Sequence, residues 1–131
     1  MATIFTRIIK GEIPSYKIAE DELFFAFLDI NPLAKGHVLI VPKVETDQFF
    51  ELDERYLSRY LSFAKHIAKA IEQVCDCNRC GMSVVGLEVP HAHMHLVPIS
   101  SADDLNFTRE KLKLLPEEMA EIQKQLIAAL G

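Results

Sequence analysis

Within Pro90-His91-Ala92-His93-Met94-His95-Leu96-Val97-Pro98, imidazoles recur at i, i+2 and i+4. That period admits few local structures. In an extended chain successive side chains alternate between faces and rise about 3.3 Å per residue, so the rings would line one face roughly 6.5–7 Å apart. Ala92, Met94 and Leu96 would fall on the other face, as core. A helix would bring His91 and His95 together and turn His93 away. The flanking prolines also disfavour a helix interior. The spacing therefore predicts a strand, His93 to Ile99, with histidines gathered on one surface.

Two chemistries use clustered imidazoles. Neutral imidazole ligates zinc, copper, iron and nickel. It is also a competent nucleophile, with neighbouring rings serving as acids, bases or phosphate donors. The run by itself leaves both open.

Bulk properties narrow the field. The 131 residues predict one domain, 1–131, large enough for a real core. The net charge of −5 argues against a general nucleic-acid binder, which would carry a basic stripe. An anionic ligand must therefore be held by local features rather than by the overall field. No apolar run reaches membrane-spanning length, and the N-terminus lacks a signal-peptide layout, so a cytoplasmic location without membrane contact is expected. Cys75, Cys77 and Cys80 crowd together, with no fourth cysteine or nearby histidine to complete a metal site. Reduced thiols at a helix end and turn are the plainer expectation.

The remaining pattern predicts an α+β chain. Ile4 to Lys10 reads as a short helix behind a Thr3 N-cap. Tyr16 to Glu20 and Leu23 to Leu28 read as a hairpin, and His37 to Val41 as a strand. Asp53 to Val74 carries apolar residues at helical spacing, from Tyr56 and Leu57 through Tyr60, Leu61, Ala64 and Ile67 to Ile71. Asp53 would cap it, Lys65 and Lys69 would lie on its polar side, and His66, with no motif around it, would be a surface or packing residue. Met82 to Val85 adds another strand, and Leu115-Pro116-Glu117-Glu118 opens a C-terminal helix. Too few helices separate the strands for parallel crossovers, so an antiparallel sheet of about five strands is expected.

The segment His91 to Pro98 resembles the signature of the histidine triad nucleotide hydrolases and transferases. Three further blocks, in order, are similar to that family: Thr3 to Pro14, Phe25-Ala26-Phe27-Leu28-Asp29-Ile30-Asn31-Pro32, and Gly36-His37-Val38-Leu39-Ile40-Val41-Pro42-Lys43. The resemblance implies an antiparallel meander sheet with the long helix packed on it, a C-terminal helix, and a homodimer whose sheets join.

It also implies roles. His93 would attack the α-phosphorus of a purine nucleotide and form a nucleotidyl-imidazole that water resolves. His91 would orient His93 through its backbone carbonyl. His95 would contact phosphate oxygens or protonate the leaving group, and His37 would be a fourth site histidine. Asp29 would hold the ribose hydroxyls, as a carboxylate can. Phe5, Ile8, Phe27, Ile30 and Leu39 would form an apolar slot for the base. No cofactor and no metal is implied. An N-terminal cysteine pair that holds zinc in some members is replaced here by Ile4, Phe5 and Thr6.

The chain also departs from the family pattern. Gly86-Leu87-Glu88 stands where a glycine, an amide residue and a hydroxyl residue are usual, so Glu88 replaces a phosphate-binding hydroxyl. Cys80 takes the place of an upstream amide, with Ser83 as a possible stand-in. Glu45 occupies a position that is histidine in one branch. The expected function is cleavage of a phosphoramidate or phosphoanhydride at the α-phosphate. The alternatives are a metal-dependent hydrolase with His91, His93 and His95 as ligands, and a nucleotide-binding protein without catalysis.

Overall fold

The computed structural model describes residues 2–131. Helix α1 (Ile4–Ile9) opens it, and Thr3 caps α1 by accepting the Thr6 N–H at 3.1 Å. Strands β1 (Lys17–Glu20) and β2 (Phe24–Leu28) then form a hairpin. Its turn is closed by the Asp21 carboxylate, which accepts the N–H groups of Leu23 and Phe24, both at 2.8 Å. β3 (Val38–Pro42) pairs antiparallel with β2. After the long helix α2 (Glu54–Val74) come β4 (Arg79–Ser83), β5 (Met94–Ile99) and α3 (Pro116–Leu130).

The strands form one antiparallel sheet in the order β1-β2-β3-β5-β4. The first three follow chain order, and β5 then enters between β3 and β4. An antiparallel α+β architecture is thus observed, as expected. Every strand is offset from the sequence reading by a residue or more, and two of the shifts bear on the histidines. β4 ends at Ser83, opposite His95, because its partner leaves the ladder beyond that point. β5 starts at Met94 because the preceding residues bond elsewhere: His91 N–H donates to Val89 C=O and Ala92 N–H to Thr46 C=O. Only His95 of the three clustered histidines therefore lies within the strand.

Each face of the sheet has its own work. Phe24, Ala26, Leu28, Val38, Ile40, Met94 and Leu96 point toward α2 and α3 and make the main core. Tyr60, Ile67 and Ile71 of α2 are buried against it, and each fully buried residue of this kind contributes about 1.5–3 kcal/mol by leaving water. The Tyr60 hydroxyl donates to the Ile40 carbonyl, which satisfies its one buried polar atom. Leu61, expected in the apolar stripe, is 60% exposed. Asp53 takes the N-cap position of α2 without a side-chain bond. Phe25, Phe27, Leu39 and Val41 face the other way and pack with Phe5 of α1. Ala92 is buried in the main core with Met94 and Leu96, so the histidines are left to this second face.

Gly36 turns the chain into β3 with φ at +99°, a conformation that side chains resist. A Cβ there would stand 2.5 Å from the Cys75 sulfur at the end of α2. Gly36 thereby fixes the position of the next residue, His37. Gly36→Ala is expected to cost about 1–3 kcal/mol from backbone strain, with the clash against Cys75 adding to it. Urea denaturation checks this, and an unchanged midpoint would remove the constraint.

Candidate active site

The four site histidines are buried, and their hydrogen bonds define their protonation. His37 lies just before β3. Its Nδ1 accepts the backbone N–H of Leu33 at 2.9 Å. That nitrogen is therefore unprotonated, and the proton sits on Nε2. Nε2 donates to His95 Nδ1, 2.9 Å away. His95 must then carry its own proton on Nε2. His93 Nδ1 lies 2.8 Å from the His91 carbonyl, which can only accept, so Nδ1 is protonated and the neutral ring carries its lone pair on Nε2. His91 Nε2 donates to the Pro42 carbonyl at 2.8 Å, and its Nδ1 accepts the Thr3 hydroxyl at 2.7 Å.

Burial disfavours charge on His37, His91 and His95. It pushes His37 down to about 3, helped by the neighbouring His95 and Lys111. It pushes His95 down to about 4, helped by His93 and Lys111. His91 is lowered too, again by burial, against the opposing pull of the Pro42 carbonyl and Glu45. Asp29 moves the other way: burial raises it, while its bond from the Asn31 N–H and the nearby His93 and Lys111 hold it down.

The expected substrate-binding residues meet at two adjoining hollows. One, of about 270 Å³, is lined by Phe5, Ile8, Phe27, Ile30, Leu39 and Asp29, with Glu88, His93 and His95 at its edge. Phe5 sets its edge against His93, with ring centres 5.0 Å apart, and against Phe27 at 5.8 Å. The second, of about 520 Å³, shares Asp29, Glu88, His93 and His95 and adds His37, Phe107 and Lys111. Asp29 follows β2 directly. Its Oδ1 accepts the Asn31 N–H at 2.8 Å, while Oδ2 lies 3.7 Å from His37 Nε2, beyond hydrogen-bond reach of a neutral ring. His91 lines neither hollow and reaches the site through its carbonyl. Ser83 lines neither. His66 is exposed on α2.

Several contributors carry no signal in the spacing pattern. Thr3, readable as a helix cap, also bonds His91, and its own N–H donates to the Glu45 carboxylate at 2.8 Å. Glu45 thus anchors α1 beside the site. Phe107 packs on His95 at 4.6 Å between ring centres. It belongs to residues 106–114, an irregular segment that returns across the histidines.

The donor set does not favour a metal on the clustered triad. His91 turns both ring nitrogens away from His93, toward Thr3 and Pro42. Among the described residues, the group whose ligand atoms lie within 4.8 Å of one another is Asp29, His37 and His95. There His37 already uses both nitrogens on Leu33 and His95. Cys75, Cys77 and Cys80 are free thiols, and burial pushes Cys75 up to about 11 and Cys80 up to about 12. Cys80 lies inside β4 rather than in a turn.

Residues 10–102 match the HIT domain family. The chain belongs to the HIT family. It is 37% identical to an uncharacterized HIT-like protein of Borreliella burgdorferi, over 94% of each chain. It is 39% identical to the adenosine 5'-monophosphoramidase of Saccharomyces cerevisiae over 74% of this chain and 62% of that one. The crystal structure of a Hit-like protein from Bartonella henselae superposes with a TM-score of 0.83 at 28% identity, covering 97% of this chain and 95% of that one. Among the described residues no helix is long and apolar enough to cross a membrane.

The neutral histidines set a pH dependence. Below their ordinary value of 6.5, the unfolded chain takes up protons that folded His37 and His95 refuse. Stability is therefore full above that pH and falls as acid is added, by up to about 1.4 kcal/mol per pH unit from each ring. The window runs from 6.5 down to about 4 for His95 and about 3 for His37. Urea midpoints from pH 7.5 to 4.5 should fall, and less steeply in His95→Asn. Equal slopes in both proteins would contradict neutral burial.

Proposed function

We propose that this protein is a nucleotide hydrolase or transferase that cleaves at the α-phosphate of a purine nucleotide through a covalent intermediate on His93. The observation that carries the reading is the tautomer pattern. Leu33 N–H to His37 to His95 leaves a proton on His95 Nε2, and the His91 carbonyl leaves a lone pair on His93 Nε2. A nucleophile and a hydrogen-bond donor thus stand side by side, with ring centres 5.0 Å apart.

In this reading the base enters the apolar hollow between Phe5, Ile8, Phe27, Ile30 and Leu39. The Asp29 carboxylate receives the ribose hydroxyls. His93 Nε2 attacks phosphorus, and the bond to the leaving group breaks. The proton that the leaving group needs is taken at His95 Nε2–H and replaced from solvent. The His91 carbonyl stabilises the positive charge that the His93 ring gains. Water then displaces His93, releasing a nucleoside monophosphate and returning one proton. The yeast relative's monophosphoramidase activity makes a P–N bond the first substrate class to test.

A homodimer belongs to the same proposal. β4 is an edge of the sheet, with Met82 exposed in it and Val84 exposed just after it. Leu61 and the 90% exposed Phe50 add apolar surface. Unpaired edges and exposed apolar side chains favour pairing with a second copy. Sedimentation should give a dimer at micromolar concentration, and a monomer throughout would count against it.

Two substitutions test the site. His93→Ala should abolish hydrolysis of adenosine 5'-phosphoramidate while AMP still binds, because Asp29 and the apolar hollow remain. Asp29→Ala should weaken AMP binding by roughly 1.5–3 kcal/mol, the range for a hydrogen bond to a charged group. Wild-type turnover in His93→Ala would sink the mechanism. Tight AMP binding by a wild-type protein that turns over no phosphoramidate would instead favour a non-catalytic binder, with the Glu88 carboxylate opposing the phosphate.

A further inference from the structure

We propose that Lys111 is the phosphate-binding cation of this site, neutralising the non-bridging oxygens of the phosphoryl group that His93 attacks. The proposal rests on the nucleotidyl-transfer reading above and names the group that makes the site hospitable to an anion.

The need for such a group follows from the charges present. The hydrogen bonds to Leu33, Thr3 and Pro42 hold His37, His95 and His91 in neutral tautomers. The side chains lining the two hollows include the carboxylates of Asp29 and Glu88. The loop Gly86-Leu87-Glu88 supplies an acid where a phosphate needs a donor. An α-phosphate arrives negative and must accept a nucleophile. Oriented positive charge at that point is a large contributor to catalysis in a water-poor site. Among the residues lining either hollow, Lys111 is the one lysine or arginine.

The fold holds Lys111 in place for this task. Residues 106–114 are fastened at both ends. Phe107 packs on His95 and, at 6.2 Å between ring centres, on His37. Leu112 N–H donates to the Pro32 carbonyl at 2.9 Å, next to the Asp29 turn. Between these anchors the half-buried Lys111 donates to the carbonyls of Phe107 and Arg109. An ammonium has three donors, so one stays available for a phosphate oxygen. It lines the same hollow as Asp29, His37 and His95, and all three feel its charge. The P–N bond to His93 forms, the bond to the leaving group breaks, and the proton for that group comes through His95.

The test compares AMP with adenosine, which lacks the phosphate, by titration calorimetry on the full chain. Lys111→Met should weaken AMP binding at least tenfold and leave adenosine binding within twofold. Lys111→Arg should restore most of the AMP affinity. The kcat for adenosine 5'-phosphoramidate should fall at least a hundredfold in Lys111→Met. An AMP-to-adenosine affinity ratio unchanged in Lys111→Met would overturn the proposal, whether both affinities held or both fell together. Failure of the transferase reading looks different: wild type would lack His93-dependent turnover, while the affinity ratio would still decide the place of Lys111.

Discussion

The backbone N–H of Leu33 donating to His37 Nδ1 is the interaction on which the polar side of this molecule depends. It fixes one proton, and that proton fixes the next, so His95 presents N–H rather than a lone pair to the hollow. A second backbone group, the His91 carbonyl, does the reverse for His93. Both controls are main-chain atoms held by the fold. They do not titrate, and they cost no side-chain entropy to place. The buried rings need such partners, because a buried polar atom left unpaired is costly. Each of the four rings has at least one ring nitrogen satisfied in this way or by a side chain.

The geometry of the sheet explains why these contacts coincide. β2 and β3 are buried on both faces, and their residues alternate strictly between helix-facing core and site. Phe27 and Leu39 are register partners, as are Leu39 and His95, so the apolar hollow and the histidine lie in one row across three strands. Asp29 N–H donates to the His37 carbonyl at 3.0 Å, which ties the proposed ribose-binding turn to the first histidine of the relay. A slip of either strand by one residue would send the site into the core and the core into solvent. The apolar packing under α2 and α3 therefore holds the register that the site requires.

Much of this was legible in the residues. Alternation placed Ala92, Met94 and Leu96 in the core and gathered the histidines on one side, even though His91 and His93 stand just outside the strand. Local pattern could not show why: His91 N–H donates to Val89 C=O, Ala92 N–H to Thr46 C=O, and the His91 carbonyl accepts from the His93 ring rather than from the ladder. The helical stripe over 53–74 was right except at Leu61, because periodicity marks an apolar face without saying what covers it. Thr3 was readable as a cap, but its bond to His91 joins positions far apart in sequence. Lys111 and Phe107 lie in an irregular segment with no period at all. Nothing but the return of the chain past Pro32 brings them to the histidines.

The central claim is that His93 Nε2 forms a bond to phosphorus. Rapid quench of the wild-type protein with α-phosphate-labelled adenosine 5'-phosphoramidate, followed by mass spectrometry of the peptide spanning residues 80–109, tests it most directly. The account predicts a nucleotidyl adduct on His93 within one turnover, decaying as AMP appears. AMP release at full rate with no adduct at any time, or an adduct on His95 instead, would contradict it.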